Sequence, residues 1–402
     1  MARRAAEIGT NCKSDSLDED QSDPPISKYG NSLSFGNDKN STKEVDGIKY
    51  SVKSMEKSLS SDQFLRGLRD SERVTFVSHI QPDPDSMGSM LGLAHLVQTV
   101  LKLPSRITRD GLISRAENRA MVDLLEIDLI PVEEVAWTNR DSVIMVDSQP
   151  NTGRHSFNAD LPLYAVIDHH DTSGTLTNIP YIDVRANVGA TCTIVTQYLM
   201  EQRIKIPERI ATALLYGIET EIGGFPREAG PLDDESVQFL YPLADKDLLA
   251  EIRNARLPHS HFECLLQALQ SSFIYDRLII SWVNQLPQPE QAAEVVDFMV
   301  RFEQVDWAVC GGVYKDKMIL SVRTSLHNSR AGDLLQKVVG RLGKAGGHDR
   351  RAGGCIKLAS NSISAIEELQ SELRKRFLKH LRIEECRGQR LVPLREILQN
   401  LS

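Results

Sequence analysis

Short apolar runs that end in acidic residues or histidines, each followed by a stretch with helical spacing, recur through the middle of this chain. RVTFVSHI leads into QPDPDS, and SMGSMLGLAHLVQTVL then places its apolar residues at three- and four-residue intervals. DSVIMVDS and LYAVIDHHD are two further strand candidates. Strands alternating with helices predict a mainly parallel sheet flanked by helices on both faces. From Gly189 to about Gln270 the pattern is mainly helical, through ATCTIVTQYLMEQ, ERIATALLYGIE and DESVQFLYPL. Beyond about Phe273 a smaller α/β domain is predicted. It has strand-like RLIISWVNQL, WAVCGGVY, KMILSVRT and CIKLA, helical PEQAAEVVDFMVRFEQ and AGDLLQKVVGRL, and a glycine-rich turn, KAGGHDRRAGG.

The ends of the chain read differently. Residues 1 to about 60 are rich in Ser, Asp, Asn and Lys without a sustained apolar period, which predicts a disordered tail. Order is expected from Ser61, where SDQFLRGLRDSE has the pattern of a capped helix. The predicted domains are therefore 61–272 and 273–380, and 381–402 is a tail or closing helix. VPLREILQNL within it packs on the body or forms an oligomer contact, which leaves a homodimer open.

Composition narrows the classes. No segment approaches the ~20 apolar residues of a membrane span, and Met-Ala-Arg-Arg-Ala-Ala lacks a signal-peptide core, so no membrane partner is expected. Six scattered cysteines without a CxxC pair read as reduced thiols of a cytoplasmic protein. A net charge of -8 argues against bulk coating of nucleic acid but leaves room for a local basic groove.

The candidate chemistry sits at the strand ends. HIQPDPDSMGS places His79, Asp83 and Asp85 after a buried strand, with Pro82 and Pro84 stiffening the loop. A polar turn with Ser86 as helix cap is the bland account, and it leaves the crowding of three metal-competent groups unexplained. Asp147 follows VIMV, and Asp168-His169-His170 follow AVI. Ligands of open α/β sheets bind outside the carboxyl ends of the strands, so these groups converge on one crevice. Carboxylates with imidazoles suit Mn²⁺ or Mg²⁺, and two cations sharing a carboxylate form a clamp for phosphoryl hydrolysis.

These motifs resemble those of the DHH phosphoesterases. HIQPDPDSMGS, VIMVDS and VIDHHD look like the family's first three motifs, GIETEIGGF like the fourth, and KAGGHDRRAGG like the glycine-rich motif of the DHHA1 domain. The resemblance covers about residues 70 to 365 and implies an active site in the cleft between a DHH and a DHHA1 domain. It makes His79 and Asp83 ligands of one metal, Asp85 and His169 ligands of a second, and Asp147 the bridge. His170 would face the scissile phosphate, with Asp168 supporting the site. The fourth-motif ligand, normally Asp, falls on Glu221, with Glu219 as the alternative. Arg323 and the Gly346-Gly347-His348 loop would grip the nucleotide end opposite the scissile bond. Ala345 replaces the usual first glycine, and Arg351 stands where a small residue is common, a charge suited to a terminal phosphate.

The resemblance implies hydrolysis of short oligonucleotides or phosphoadenosine phosphate with two divalent cations, Mn²⁺ first and Mg²⁺ or Co²⁺ as alternatives. A cyclic or linear dinucleotide phosphodiesterase and a RecJ-like exonuclease share the chemistry. A nucleotide-binding sensor that has lost turnover through its altered fourth motif is the rival from another class. Substrate identity and cleavage polarity are open at this level.

Overall fold

The computed structural model describes residues 42–45, 48–51, 59–152, 155, 162–170, 174, 176–223, 229–347, 349–384 and 387–393. Residues 1–57 and 58–402 are separate units. In the first, β1 (Thr42–Val45) and β2 (Ile48–Ser51) pair antiparallel; the rest of the predicted tail lies outside the described residues.

The second unit opens with α1 (Ser60–Arg66), whose N-terminus has no side-chain cap. Next come β3 (Arg73–Val77), α2 (Pro84–Leu101), β4 (Ser105–Arg109), α3 (Ala116–Leu124), β5 (Leu129–Pro131), β6 (Asp141–Val146), β7 (Leu163–Asp168) and β8 (Tyr181–Val184). The sheet is ordered β5-β4-β3-β6-β7-β8, and every neighbouring pair is parallel. The three strands whose ends carry the candidate residues are adjacent at its centre. Their registers match Val77 with Met145 and Val146 with Ile167, so the three loops leave the sheet side by side.

Four helices follow: α4 (Thr191–Glu201), α5 (Glu208–Ile222), α6 (Pro231–Leu240) and α7 (Lys246–Arg253). α2 is buried over most of its length and packs on α4 and α5. Glycines permit that approach. A Cβ at Gly217 would stand 2.6 Å from Cys192 Sγ and 2.9 Å from the Pro84 carbonyl oxygen, tighter than any real contact. The loop that starts α2 is thereby pressed against α4 and α5.

The next elements are α8 (His259–Ser271), β9 (Phe273–Tyr275), β10 (Leu278–Val283), α9 (Gln291–Met299), β11 (Trp307–Tyr314) and β12 (Lys317–Thr324). They are followed by α10 (Ala331–Val339), β13 (Gly343–Gly347), β14 (Arg351–Lys357), α11 (Ile363–Leu381) and β15 (Gln389–Arg390). The second sheet runs β13-β14-β12-β11-β10-β9-β15. Cys264 and Ala268 of α8 share a core with Ile279, Ala308 and Cys310, so α8 packs with the second domain although it precedes residue 273. The glycine-rich segment, expected as a turn, is largely a strand: β13 pairs with β14 from Gly343↔Ile356 to Gly347↔Ala352. Glycines carry no side-chain alternation, which hid the strand. VPLREILQNL lies outside the described residues from Leu394 onward. Among the described residues, no helix is long and apolar enough to cross a membrane.

Candidate metal centre and active site

The first loop sets its ligands through a helix start. Asp83, not Ser86, is the N-cap of α2: its carboxylate accepts from the Ser86 amide at 3.0 Å, and Pro84 occupies the first helical position, where no amide is needed. Asp85 therefore lies inside the first turn, 1% exposed. Its two oxygens accept from the Thr191 and Cys192 amides, each at 2.7 Å, at the N-terminus of α4. Even so, burial and the nearby Asp147 charge hold the Asp85 carboxyl well above the usual carboxylate range.

Asp147 is the centre of the cluster. It follows β6 with φ +55, a conformation that Asp and Asn adopt more readily than bulkier residues, and it is 2% exposed. His79 Nε2 stands 3.4 Å from Asp147 Oδ2 and 3.5 Å from Asp83 Oδ2. On the other side, His169 Nε2 stands 3.6 Å from Asp147 Oδ1 and 3.9 Å from Asp85 Oδ2. Two groups of nitrogen and oxygen donors thus share one carboxylate. His79, Asp83 and Asp147 have donor atoms within 4.8 Å of one another, as do Asp147, His169 and His170.

Hydrogen bonds fix which ring nitrogens face the cluster. Nδ1 of His79 lies 2.9 Å from the Ile80 carbonyl oxygen, to which it can only donate, so Nε2 is the nitrogen left to face the cluster. Nδ1 of His170 lies 2.8 Å from Asp168 Oδ1, which also accepts the His169 amide at 2.9 Å. Asp168 Oδ2 accepts from Gln149 at 2.8 Å. Asp168 is fully buried and works through these contacts: burial pushes its carboxyl up, and His170 and Gln149 outweigh that and hold it below the usual range. Burial disfavours the charged form of His79 and His169 as well. The surrounding carboxylates outweigh it, raising His79 and taking His169 to about 9.

The donor chemistry fits divalent cations. The carboxylates of Asp83, Asp85 and Asp147 converge with the imidazoles of His79, His169 and His170, and hard or borderline cations prefer such oxygen and imidazole donors. The hydroxyls of Ser78 and Ser148, beside His79 and Asp147, are buried with no hydrogen-bond partner among the described residues, the mark of a site built for something more than protein atoms. Glu221 lies on the last turn of α5, not in a loop. Burial and the Asp83 charge raise its pKa, and Arg351 acts on it from the second domain. Glu219 is turned away and paired with Arg253.

In the second domain, Arg323 and Arg351 are direct cross-strand partners, as are Gly346 and Gly353, and all four share one face of the sheet. A Cβ at Gly346 or Gly353 would meet nothing within 4 Å, so the glycines leave an open floor beside the two arginines. Gly347 has φ +156, and a side chain there would collide with the Arg351 carbonyl. His348 lies outside the described residues. Two contributors were absent from the sequence reading. Thr191 Oγ1 donates to Asp147 Oδ1 at 2.9 Å, and Gln149 braces Asp168. Gln149 follows Asp147 closely enough in sequence to be suspected; Thr191 arrives from a distant helix.

A parallel α/β domain with carboxylates and imidazoles gathered at its central strand ends defines the class. Residues 73–218 match the sequence model described as the DHH family, N-terminal domain. An uncharacterized protein of Methanocaldococcus jannaschii is 29% identical over 316 residues, 77% of this chain and 64% of that protein. A probable manganese-dependent inorganic pyrophosphatase of Lactococcus lactis is 26% identical over 153 residues, 37% of this chain and 48% of that protein. The chain thus spans from about half to just under two thirds of the length of these curated relatives. Among solved structures, an exopolyphosphatase-related protein from Bacteroides fragilis superposes with a TM-score of 0.64 at 16% identity, covering 80% of this chain and 97% of that one, a likeness of fold.

Proposed function

We propose that this protein is a two-metal phosphoesterase that hydrolyses short oligonucleotides or phosphoadenosine phosphate. The observation that carries the reading is the sharing of Asp147 between two donor groups, one with His79 and Asp83 and one with His169 and Asp85. Glu221 completes the second group in this reading. Two divalent cations held there would supply Lewis acidity and a water of lowered pKa. Mn²⁺ is the first choice, a choice that the manganese-dependent name of the Lactococcus relative supports.

The chain's own residues supply the rest. His170, oriented by the contact of Nδ1 with Asp168, would face the phosphoryl group and stabilise charge that develops there. Asp168 fixes that ring's orientation, and Gln149 fixes Asp168. The open glycine floor of β13 and β14, with Arg323 and Arg351 beside it, suits a flat base and a phosphate at the end away from the scissile bond. In this reading the floor is the far end of a cleft between the domains, which would favour short ends over long chains. The reading includes a cytoplasmic setting, supported by the free cysteines Cys192, Cys264, Cys310 and Cys355.

Purified protein with Mn²⁺ is to be offered di- to pentanucleotides of RNA and DNA, phosphoadenosine phosphate, a cyclic dinucleotide and pyrophosphate, with product analysis. Mononucleotides released from the short oligomers, or AMP and phosphate from the bisphosphate, are the expected result. Turnover of pyrophosphate alone moves the substrate to inorganic phosphates. No hydrolysis of any substrate with Mn²⁺, Mg²⁺ or Co²⁺ overturns the reading in favour of a nucleotide-binding sensor.

A further inference from the structure

The helix that braces the metal-facing carboxylates is itself held from elsewhere. Three donors at the start of α4 reach the cluster: the Thr191 and Cys192 amides serve one oxygen each of Asp85, and the Thr191 hydroxyl serves Asp147. Ser, Thr, Asp or Asn usually fixes such a start from the N-cap position. Here the N-cap is Ala190, which makes no side-chain cap bond.

Asp233, on the first turn of α6, takes over that role. It is fully buried, and its carboxylate brackets the three donors. Oδ2 accepts from the Gly189 amide at 2.8 Å, and Oδ1 accepts from the Thr193 hydroxyl. Oδ2 also accepts from the Gly230 amide at 2.7 Å, so the same carboxylate joins the start of α6 to the start of α4. The two starts are pressed together, since a Cβ at Gly230 would stand 3.1 Å from the Asn187 carbonyl oxygen. A buried carboxylate is costly unless its oxygens are satisfied, so these bonds set where α4 begins.

α4 bears on one side of the cluster. Asp147 turns Oδ1 toward His169 and Oδ2 toward His79. The Thr191 hydroxyl lies on Oδ1, and Asp85 faces His169. Asp83 and His79, by contrast, are set locally, by bonds to the Ser86 amide and the Ile80 carbonyl.

We propose that Asp233 is a positioning residue for the second cation: it acts through α4 on Asp85 and on Asp147 Oδ1, and it leaves the side of His79 and Asp83 unaffected. The inference rests on the two-metal reading and adds to it a residue that acts only through others.

The test is calorimetric titration of Mn²⁺ into the full chain without substrate, so that binding is read apart from turnover. Wild type is expected to take up two ions. Thr193→Val, which removes one bond to Asp233 and keeps the side chain's shape, is expected to weaken one ion about 10–100-fold and leave the other unchanged. Thr193→Ser, which keeps the hydroxyl, is expected to restore the wild-type isotherm. In a His79→Ala background, which removes an imidazole from the first ion, Thr193→Val is expected to cause the same loss. Loss at both sites, loss at neither, or no loss in the His79→Ala background overturns the proposal and leaves the two-metal reading intact. If Thr193→Val does not fold, Asp233→Asn is read by the same criterion, and failure of both to fold makes Asp233 a fold element and overturns the proposal. A wild type that takes up fewer than two ions overturns the two-metal reading and the proposal with it.

Discussion

Replacing Asp147 with Asn separates a metal-binding role from a structural one, because the first shows only when Mn²⁺ is present and the second shows without it. Asparagine has the same shape, accepts the Thr191 hydroxyl bond and tolerates the φ of +55 at this position. Only the charge is lost. In EDTA that loss relieves the repulsion that helps raise the Asp85 pKa, and it also weakens the attraction that raises His79 and His169. The two effects oppose each other, so the metal-free variant should unfold near the wild-type temperature. With Mn²⁺ the wild type should unfold well above the variant. An ion present at a hundredfold excess over its Kd stabilises by about 2.7 kcal/mol. At roughly 2–4 °C per kcal/mol, this raises the Tm of a domain of this size by about 5–10 °C for one bound ion. The loss of one unit-charge attraction, of the size that operates over about 4 Å at an effective dielectric near 20, costs about 4 kcal/mol, or roughly 10³ in affinity. Scanning fluorimetry of both proteins, with EDTA and with Mn²⁺, reads all four values. A variant that keeps the full Mn²⁺ shift refutes the shared-carboxylate arrangement.

Other predictions concern single contacts. Glu221→Gln should weaken Mn²⁺ binding about 10–100-fold, while Glu219→Gln, which only breaks the pair with Arg253, should leave it unchanged in the same titration. Thr191→Val should lower Mn²⁺ affinity by a similar factor with little change in Tm, because it removes only the bond to Asp147; equal affinity would assign the hydroxyl to packing. Gly217→Ala should cost about 1–3 kcal/mol by overpacking and also weaken Mn²⁺ binding, because the added methyl pushes on Pro84 and Asp85 as well as Cys192. The raised His169 pKa of about 9 gives a pH dependence. In EDTA its stabilising contribution is complete below the unfolded value near 6.5 and is lost as pH rises through about 9. Mn²⁺ must displace that proton, so its affinity should climb over the same window, and a flat titration profile would place His169 outside the metal site.

The legible parts of this protein were those in which a side chain announces its own position. His79, Asp147 and Asp168 each follow a run of buried apolar residues, and a parallel sheet delivers such endings to one edge, so the first-domain fold and most of the cluster could be read from pattern. β13 could not, because Gly343–Gly347 offers no alternation and its strand character comes from pairing with β14. Glu221 lies just beyond the helical run read in ERIATALLYGIE, whereas α5 continues through it to Ile222. The roles of Thr191 and of the α4 amides depend on docking that helix onto residues 44 to 107 positions away. Arg115 and Asp297 meet across 182 residues, a contact with no local signature in either segment.

The central claim is that the cluster around Asp147 hydrolyses phosphoester bonds in short nucleotides with bound divalent cations. The most direct measurement is AMP release from the dinucleotide pApA with Mn²⁺, by wild type and by Asp147→Asn side by side. The account predicts steady release by wild type and a loss of at least about 10³-fold in the variant, the scale of one cation's lost charge contact. Equal release by the two proteins, or none by either, would contradict it.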